Sequence, residues 1–363
     1  MADMLSTLTS PVILFFVLGA LASLARSDLS IPDSVSKGMS LYLMASIGLK
    51  GGVEVSAAGL DTQMLTTGAA GLFLSFALPF VGYQLLRRIG GLNSMNAGAV
   101  AAHYGSVSVV TFVTGFAVLQ ARGMAPAGWM VAVLALMETP AIIAGLLLAR
   151  GSLAGLGDTQ NAEGFGQHSV WREVLLNGPV VLLVGAFLIG VIAGKSGYQP
   201  VSFFFTDLFR GVLCLFLLDM GLLAARRFRE ARSLTIPLAL LAVLLPLINA
   251  GLGLVVAIAI GLTGGTAAAF VILCASASYI AVPAAMRLAL PDADAGLYLA
   301  MSLAITFPFN IIMGIPLYTW AVQMLVRCQS LLPSSKVTAA SALAPIVSSA
   351  NAMTGWPRGR PPR

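Results

Sequence analysis

Residues 102–112 read AHYGSVSVVTF. The stretch sets a His, a Tyr, a Gly, two Ser and a Thr into the middle of a long apolar run. Where water is scarce, each of those polar groups must find a partner within the protein. A second stretch of the same character, CASASYIAVPAAMR, occupies 274–287. Ser276 and Ser278 follow Ser106 and Ser108 at a distance of 170 residues. A polar interruption that occurs twice, at matching places, points to a duplicated membrane architecture.

Composition supports a membrane setting. Of the 363 residues, 58% are hydrophobic and only 9% are charged, whereas a soluble domain carries roughly 25% charged residues. The net charge of +6 therefore reads as loop charge beside a membrane, and no nucleic-acid partner is expected. Three cysteines, Cys214, Cys274 and Cys328, show no CxxC or metal spacing and read as small apolar residues.

Hydropathy marks ten candidate spans near 8–25, 38–54, 64–86, 93–119, 126–149, 174–194, 204–225, 234–260, 266–286 and 295–326, most of them close to the roughly 20 residues that cross a bilayer. The first is expected to be retained, since Asp3 precedes it and no Lys or Arg does. Loops after the odd-numbered spans hold Arg26, Lys37, Arg87, Arg88, Arg150, Arg172, Arg226, Arg227, Arg229, Arg232 and Arg287. The other side holds Lys50, Arg122, Lys195 and Arg210. The excess of basic residues marks the cytoplasmic side, so both termini are expected outside.

Four matches in order argue for duplication. PVIL (11–14) and PVVL (179–182) lie 168 residues apart, and SIGLKGG (46–52) and DMGLLAA (219–225) lie 173 apart. SVSVV (106–110) and SASYI (276–280) lie 170 apart, while ETPAIIAG (138–145) and TFPFNIIM (306–313) lie 168 apart. A unit of five spans is odd, so its second copy enters the membrane upside down. The expected fold is thus an all-α integral membrane protein of ten transmembrane helices in two inverted five-helix repeats, with discontinuous helices at the fourth and ninth spans. The expected organisation is a first repeat at 8–149, a cytoplasmic loop at 150–173, a second repeat at 174–326 and a disordered tail at 327–363. Inverted repeats with broken helices are the plan of secondary transporters.

The site candidates follow from the breaks. Gly105 and Pro283 are the places where helical hydrogen bonding is most easily interrupted. An interrupted helix offers free N–H groups and a positive dipole end to an anion. Ser106, Ser108, Ser276 and Ser278 add hydroxyls, with Tyr279 beside them. The competing reading of each Ser is a hydroxyl bonded back to its own helix.

Glu138 and Asp219 are the acids well inside spans, where a carboxylate is costly and tends to face a cavity or a cation. Pro140 frees the carbonyl of Leu136 beside Glu138 and Thr139, giving hard oxygen ligands suited to Na⁺. In the second copy, Ser302, Thr306 and Asn310 share one helical face around Pro308. Helix-to-helix bonds account equally well for Glu138 and Asn310. Asp219 fits a proton relay or an ion pair with Lys50 or Arg210, and His103 fits a structural hydrogen bond. No HExxH or GxSxG motif is present and neither His has a metal-ligand partner, so no enzyme is expected.

The segments SLYLMASIGLKGG (40–52), AAHYGSVSVVTFVTG (101–115), ASASYIAVPAAMRLALP (275–291) and SLAITFPFNIIMGIPLY (302–318) resemble the signature segments of the SbtA family of sodium-dependent bicarbonate transporters. The resemblance spans about 8–326. It implies uptake of bicarbonate with Na⁺ as coupling ion and without another cofactor. It also implies a homotrimer among the lipids of a bacterial plasma membrane, and a cytoplasmic PII-like regulatory protein that senses adenine nucleotides. The expected bicarbonate site is Gly105, Ser106, Ser108, Ser276, Ser278 and Tyr279; the expected Na⁺ site is Glu138, Thr139, Thr306 and Asn310. A carrier of another small anion, or a receptor for the regulator, are the competing functions.

Overall fold

The computed structural model describes residues 9–59, 61–151, 178–230 and 233–331. Most of the expected loop at 150–173, the tail from 332 onward, Arg172 and Arg232 lie outside the described residues. Within these bounds every regular element is helical. In chain order they are α1 Pro11–Leu24, α2 Asp33–Ala58, α3 Thr62–Arg88, α4 Ser94–Gly105, α5 Val109–Ala121, α6 Met130–Glu138 and α7 Pro140–Gly151. After the undescribed stretch come α8 Gly178–Tyr198, α9 Phe209–Glu230, α10 Ile236–Ala259, α11 Gly264–Ala275, α12 Ala281–Ala289, α13 Ala295–Leu299 and α14 Ile315–Leu331.

Seven helical segments are long and apolar enough to cross a membrane: Thr62–Arg88, Ser94–Ala121, Met130–Ala149, Val181–Val201, Phe203–Arg229, Ile236–Ala259 and Ala295–Leu325. Two shorter apolar helices, Pro11–Leu24 and Gly264–Ala275, accompany them. The helix α2 is 26 residues long but carries Asp33, Lys37, Lys50 and Glu54, which lowers its apolar character. The chain is an all-α, multi-pass membrane protein.

Close helix pairs are set by glycine. The helix α1 packs along α9, and α2 packs along α8. A side chain at Gly19 would run into the carbonyl of Leu218, and one at Gly221 into that of Phe16. In the other pair Gly48 sits against Leu183, Gly52 against Phe187 and Gly190 against Leu49, each at a backbone carbonyl. Association in lipid relies on such close approach, because apolar side chains gain little by leaving lipid for each other. The remaining helices gather around α4, α5 and α11, whose buried faces are mostly Ala, Val, Phe and Leu, with Gly and Thr between them. The helix α4 lies against α3 and α7, and α11 against α10 and α5.

The segment from Ala295 departs from α-helical pairing at Ala300–Thr306 and Asn310–Gly314, both π-helical, on either side of Phe307–Phe309. Pro308 has no N–H and crowds the preceding turn, and i→i+5 pairing around it takes up the misfit. The sequence divides by contact into 1–322 and 323–363, and of the second unit only the helical turns 323–331 are described.

Candidate substrate site

Two helices break where the polar stretches lie. The helix α4 ends at Gly105; Ser106 (φ −83°, ψ 160°) and Ser108 (φ −106°, ψ 114°) are extended, and α5 starts at Val109. In the other half α11 ends at Ala275, Ser276 is extended (φ −77°, ψ 160°), and α12 starts at Ala281. Gly105 itself is helical. A Cβ there would strike the ring of Pro79 and come within 3.0 Å of Ala141 Cβ, so the glycine serves close packing. The second break precedes Pro283, which sits in the first turn of α12. A proline is tolerated there because first-turn N–H groups lack helical partners anyway.

The two extended segments cross and pair. The Ser278 amide donates to the carbonyl of His103 at 2.9 Å. Its counterpart is relayed: the Ser108 amide donates to Ser276 Oγ at 2.9 Å, and that hydroxyl donates to the carbonyl of Leu273 at 2.7 Å. The accepting residues, His103 and Leu273, lie 170 apart. His103 is buried, holds the Ala99 carbonyl through Nδ1 at 2.7 Å and stacks on Tyr298.

The four serines divide into two kinds. The Ser106 hydroxyl donates to the Glu138 carbonyl at 3.0 Å, and that of Ser276 is committed to Leu273. Ser108 and Ser278 instead act as acceptors, from the amides of Thr111 (3.2 Å) and Val282 (3.5 Å). Their own hydroxyl protons stay available. Both line a small cavity of about 10 Å³ together with Glu138, Tyr279, Met44, Val107, Val109, Ile280 and Ala281. Glu138 is only 4% exposed, and its Oε2 has no hydrogen-bond partner. Tyr279 Oη is likewise unpartnered; it lies near Ser108 but outside bonding geometry. The cavity thus presents three hydroxyl donors and a carboxylate, and its room suits about one water molecule.

The expected Na⁺ ligands are dispersed. Glu138 joins the serines. The amide of Ile142 turns back to the Thr139 carbonyl at 3.1 Å, which leaves the Glu138 carbonyl open to Ser106. Ser75 holds the neighbouring Met137 carbonyl at 2.5 Å. Hydroxyls therefore meet the carbonyls of 137 and 138, beyond the Leu136 carbonyl that Pro140 was expected to free. Thr139 does not line the cavity. Thr306 donates to the Ala242 carbonyl at 2.6 Å and pairs with Tyr104 Oη at 2.7 Å. Asn310 donates to the Ala275 carbonyl at 2.8 Å and accepts from Tyr318 at 2.8 Å. Thr306 and Asn310 thus hold the ends of α4 and α11.

Ser75, Asn249 and Tyr318 were not foreseen as parts of this network. Asn249, which donates to the Tyr104 carbonyl at 2.8 Å, was visible as a lone amide in the apolar run of α10. Asp219 accepts a hydrogen bond from Ser36. Lys50 is 14 residues further along α2 than Ser36, about 21 Å at helical rise, so it lies far from that carboxylate.

Interrupted helices that cross at a buried polar cavity, within a multi-pass helical bundle, are the layout of a membrane transporter. The family comparison gives the particular kind: the chain belongs to the Na⁺-dependent bicarbonate transporter superfamily, whose model matches residues 11–323. This is a family of transporters, and the protein is not an enzyme. Among curated proteins no sequence matches the chain.

Proposed function

We propose that the protein is a Na⁺-coupled bicarbonate symporter that works by alternating access, with its substrate site at the crossing of the two broken helices. The observation that carries this reading is the cavity shared by Ser108, Ser278, Tyr279 and Glu138, in which a carboxylate oxygen and a phenol are buried without partners. The three hydroxyls, with the helix-start amides of α5, suit a small oxyanion. Glu138 supplies the coupling. Two like charges 4 Å apart at an effective dielectric near 20 repel by about 4 kcal/mol, roughly a thousandfold in affinity. Bicarbonate beside an ionised Glu138 therefore needs Na⁺, and Na⁺ gains a second counter-charge from bicarbonate.

The ten-span inverted repeat belongs to the same proposal. The pairs α1–α9 and α2–α8 exchange with one another when each helix is replaced by its repeat partner. Gly19 and Gly190, 171 apart, hold equivalent crossings, as do Gly48 and Gly221. Pro79 and Pro246, 167 apart, sit inside α3 and α10 at corresponding places. The orientation, with both termini outside a bacterial plasma membrane, rests on the basic loops. Arg229 Nη1 donates to the Ser23 carbonyl at 2.5 Å, which ties the Arg-rich end of α9 to the end of α1. The homotrimer and the PII-like regulator rest on the family resemblance.

Purified protein in liposomes tests the function. Labelled bicarbonate is expected to accumulate only under an inward Na⁺ gradient, with little competition from organic carboxylates. Uptake that ignores Na⁺ overturns the symport, and preferred uptake of another anion overturns the substrate.

A further inference from the structure

A second cavity, of about 410 Å³, is lined by Ile47 and Lys50 of α2, Phe116 and Gln120 of α5, and Asp207 and Arg210 before and at the start of α9. The charged groups that line it are Lys50 and Arg210 against Asp207, and Glu54, one turn along α2, faces Lys50 from outside the lining. The cavity sits at the sparsely basic end of the bundle. Arg210 and Arg229 are 19 residues apart on α9, about 28 Å at helical rise, close to the roughly 30 Å of a hydrocarbon core. The cavity therefore opens opposite the Arg-rich cytoplasmic end.

It also leads somewhere. One turn deeper, a small void is lined by Ser40, Leu43, Met44, Val109, Val110, Val113 and Phe216. That void shares Met44 and Val109 with the broken-helix cavity. On α5 the lining residues Val109, Val113, Phe116 and Gln120 follow at i, i+4, i+7 and i+11, a single face. On α2, Ser40, Leu43, Met44, Ile47 and Lys50 follow at i, i+3, i+4, i+7 and i+10 along the facing side. The two faces run side by side from the polar crossing to the wide cavity, and buried Ile47, Val113 and Phe116 separate them.

We propose that the Lys50–Arg210 cavity is the outer entry vestibule of the transporter, a weak recruiting site for small anions. It passes them along the α2–α5 seam when Ile47 and Phe116 part. Its excess of basic over acidic side chains, two against one, raises the local anion concentration without a tight binding geometry. The route to a bicarbonate site rests on the symport reading; the electropositive outer cavity does not.

Two measurements test it on the full-length protein. In a background with its three cysteines replaced, Gln120→Cys in right-side-out vesicles should react with membrane-impermeant thiol reagents. An anionic reagent should react severalfold faster than a cationic one of similar size, and Lys50→Gln with Arg210→Gln should abolish that preference. Labelling only from the cytoplasmic side, or no charge preference, overturns the vestibule whether or not bicarbonate is the substrate. In uptake assays at low ionic strength the same pair should raise the apparent KM about threefold to tenfold and leave the maximal rate nearly unchanged. An unchanged KM alongside intact charge-selective labelling overturns the recruiting role while leaving the symport reading in place.

Discussion

Ser106 and Ser108 are two residues apart, and the structure gives their hydroxyls opposite employment. Ser106 spends its proton on the Glu138 carbonyl, whereas Ser108 accepts from Thr111 and keeps its proton for the cavity. Ser276 and Ser278 repeat the contrast. Ser108→Ala with Ser278→Ala is expected to raise the bicarbonate KM about tenfold or more, since a hydrogen bond to a charged group contributes about 1.5–3 kcal/mol. The thermal midpoint in detergent should fall as well, with a stability loss of about 0.5–2 kcal/mol, because Ser108 caps α5 through the Thr111 amide. Ser106→Ala with Ser276→Ala should lower that midpoint too, because each substitution strands a buried backbone group at a cost of about 1–3 kcal/mol, but should leave the bicarbonate KM nearly unchanged. Equal effects of the two pairs on KM would show the division to be wrong. The polar cluster itself was legible from two similar polar stretches set in apolar sequence. The division was not, because it depends on which way each hydroxyl turns in an extended segment, and residue spacing does not encode that.

At the scale of elements, the interruption of two helices was readable from polar residues in apolar runs, and its location was read with mixed success. Gly105 marks the first break but is there to admit Pro79, and the second break comes before Pro283 rather than at it. The face expected to unite Ser302, Thr306 and Asn310 assumed α-helical periodicity. The π-helical segments re-register that face, and the three side chains reach Tyr298, Ala242 and Ala275 respectively. Hydropathy responds to length and composition, so a change of helical pairing leaves no trace in it. Glycine gives a sharper test of element packing. Gly190→Ala forces a methyl onto the Leu49 carbonyl in the α2–α8 crossing, while Gly185, five residues earlier on the same helix, has open space around it. The first substitution is expected to lower the thermal midpoint clearly. The second should leave it unchanged or raise stability by about 0.5–1 kcal/mol, the ordinary gain of Ala over Gly in a helix. Comparable losses at both positions would mean that the close crossing does not hold the pair together.

For the whole molecule, the cavity at the broken helices is too small for bicarbonate and Na⁺ together, since its 10 Å³ accommodates about one water. In the proposed mechanism, loading therefore selects a conformation in which the crossing is wider, and a ligand shifts such an equilibrium only by its differential affinity. Coupling between two ligands is reciprocal. If Na⁺ strengthens bicarbonate binding by screening Glu138, bicarbonate must strengthen Na⁺ binding by the same factor. Titrating Na⁺ against the thermal midpoint, with and without bicarbonate, measures this. A ligand at a hundred times its Kd stabilises by about 2.7 kcal/mol, so each ligand should shift the other's half-saturation strongly. In Glu138→Gln, which keeps the side-chain shape and removes the charge, bicarbonate should bind without Na⁺ and the two shifts should become independent. Reciprocal coupling that survives in Glu138→Gln would place the shared cation elsewhere, with Thr306 and Asn310 at the ends of α4 and α11 the next ligands to test.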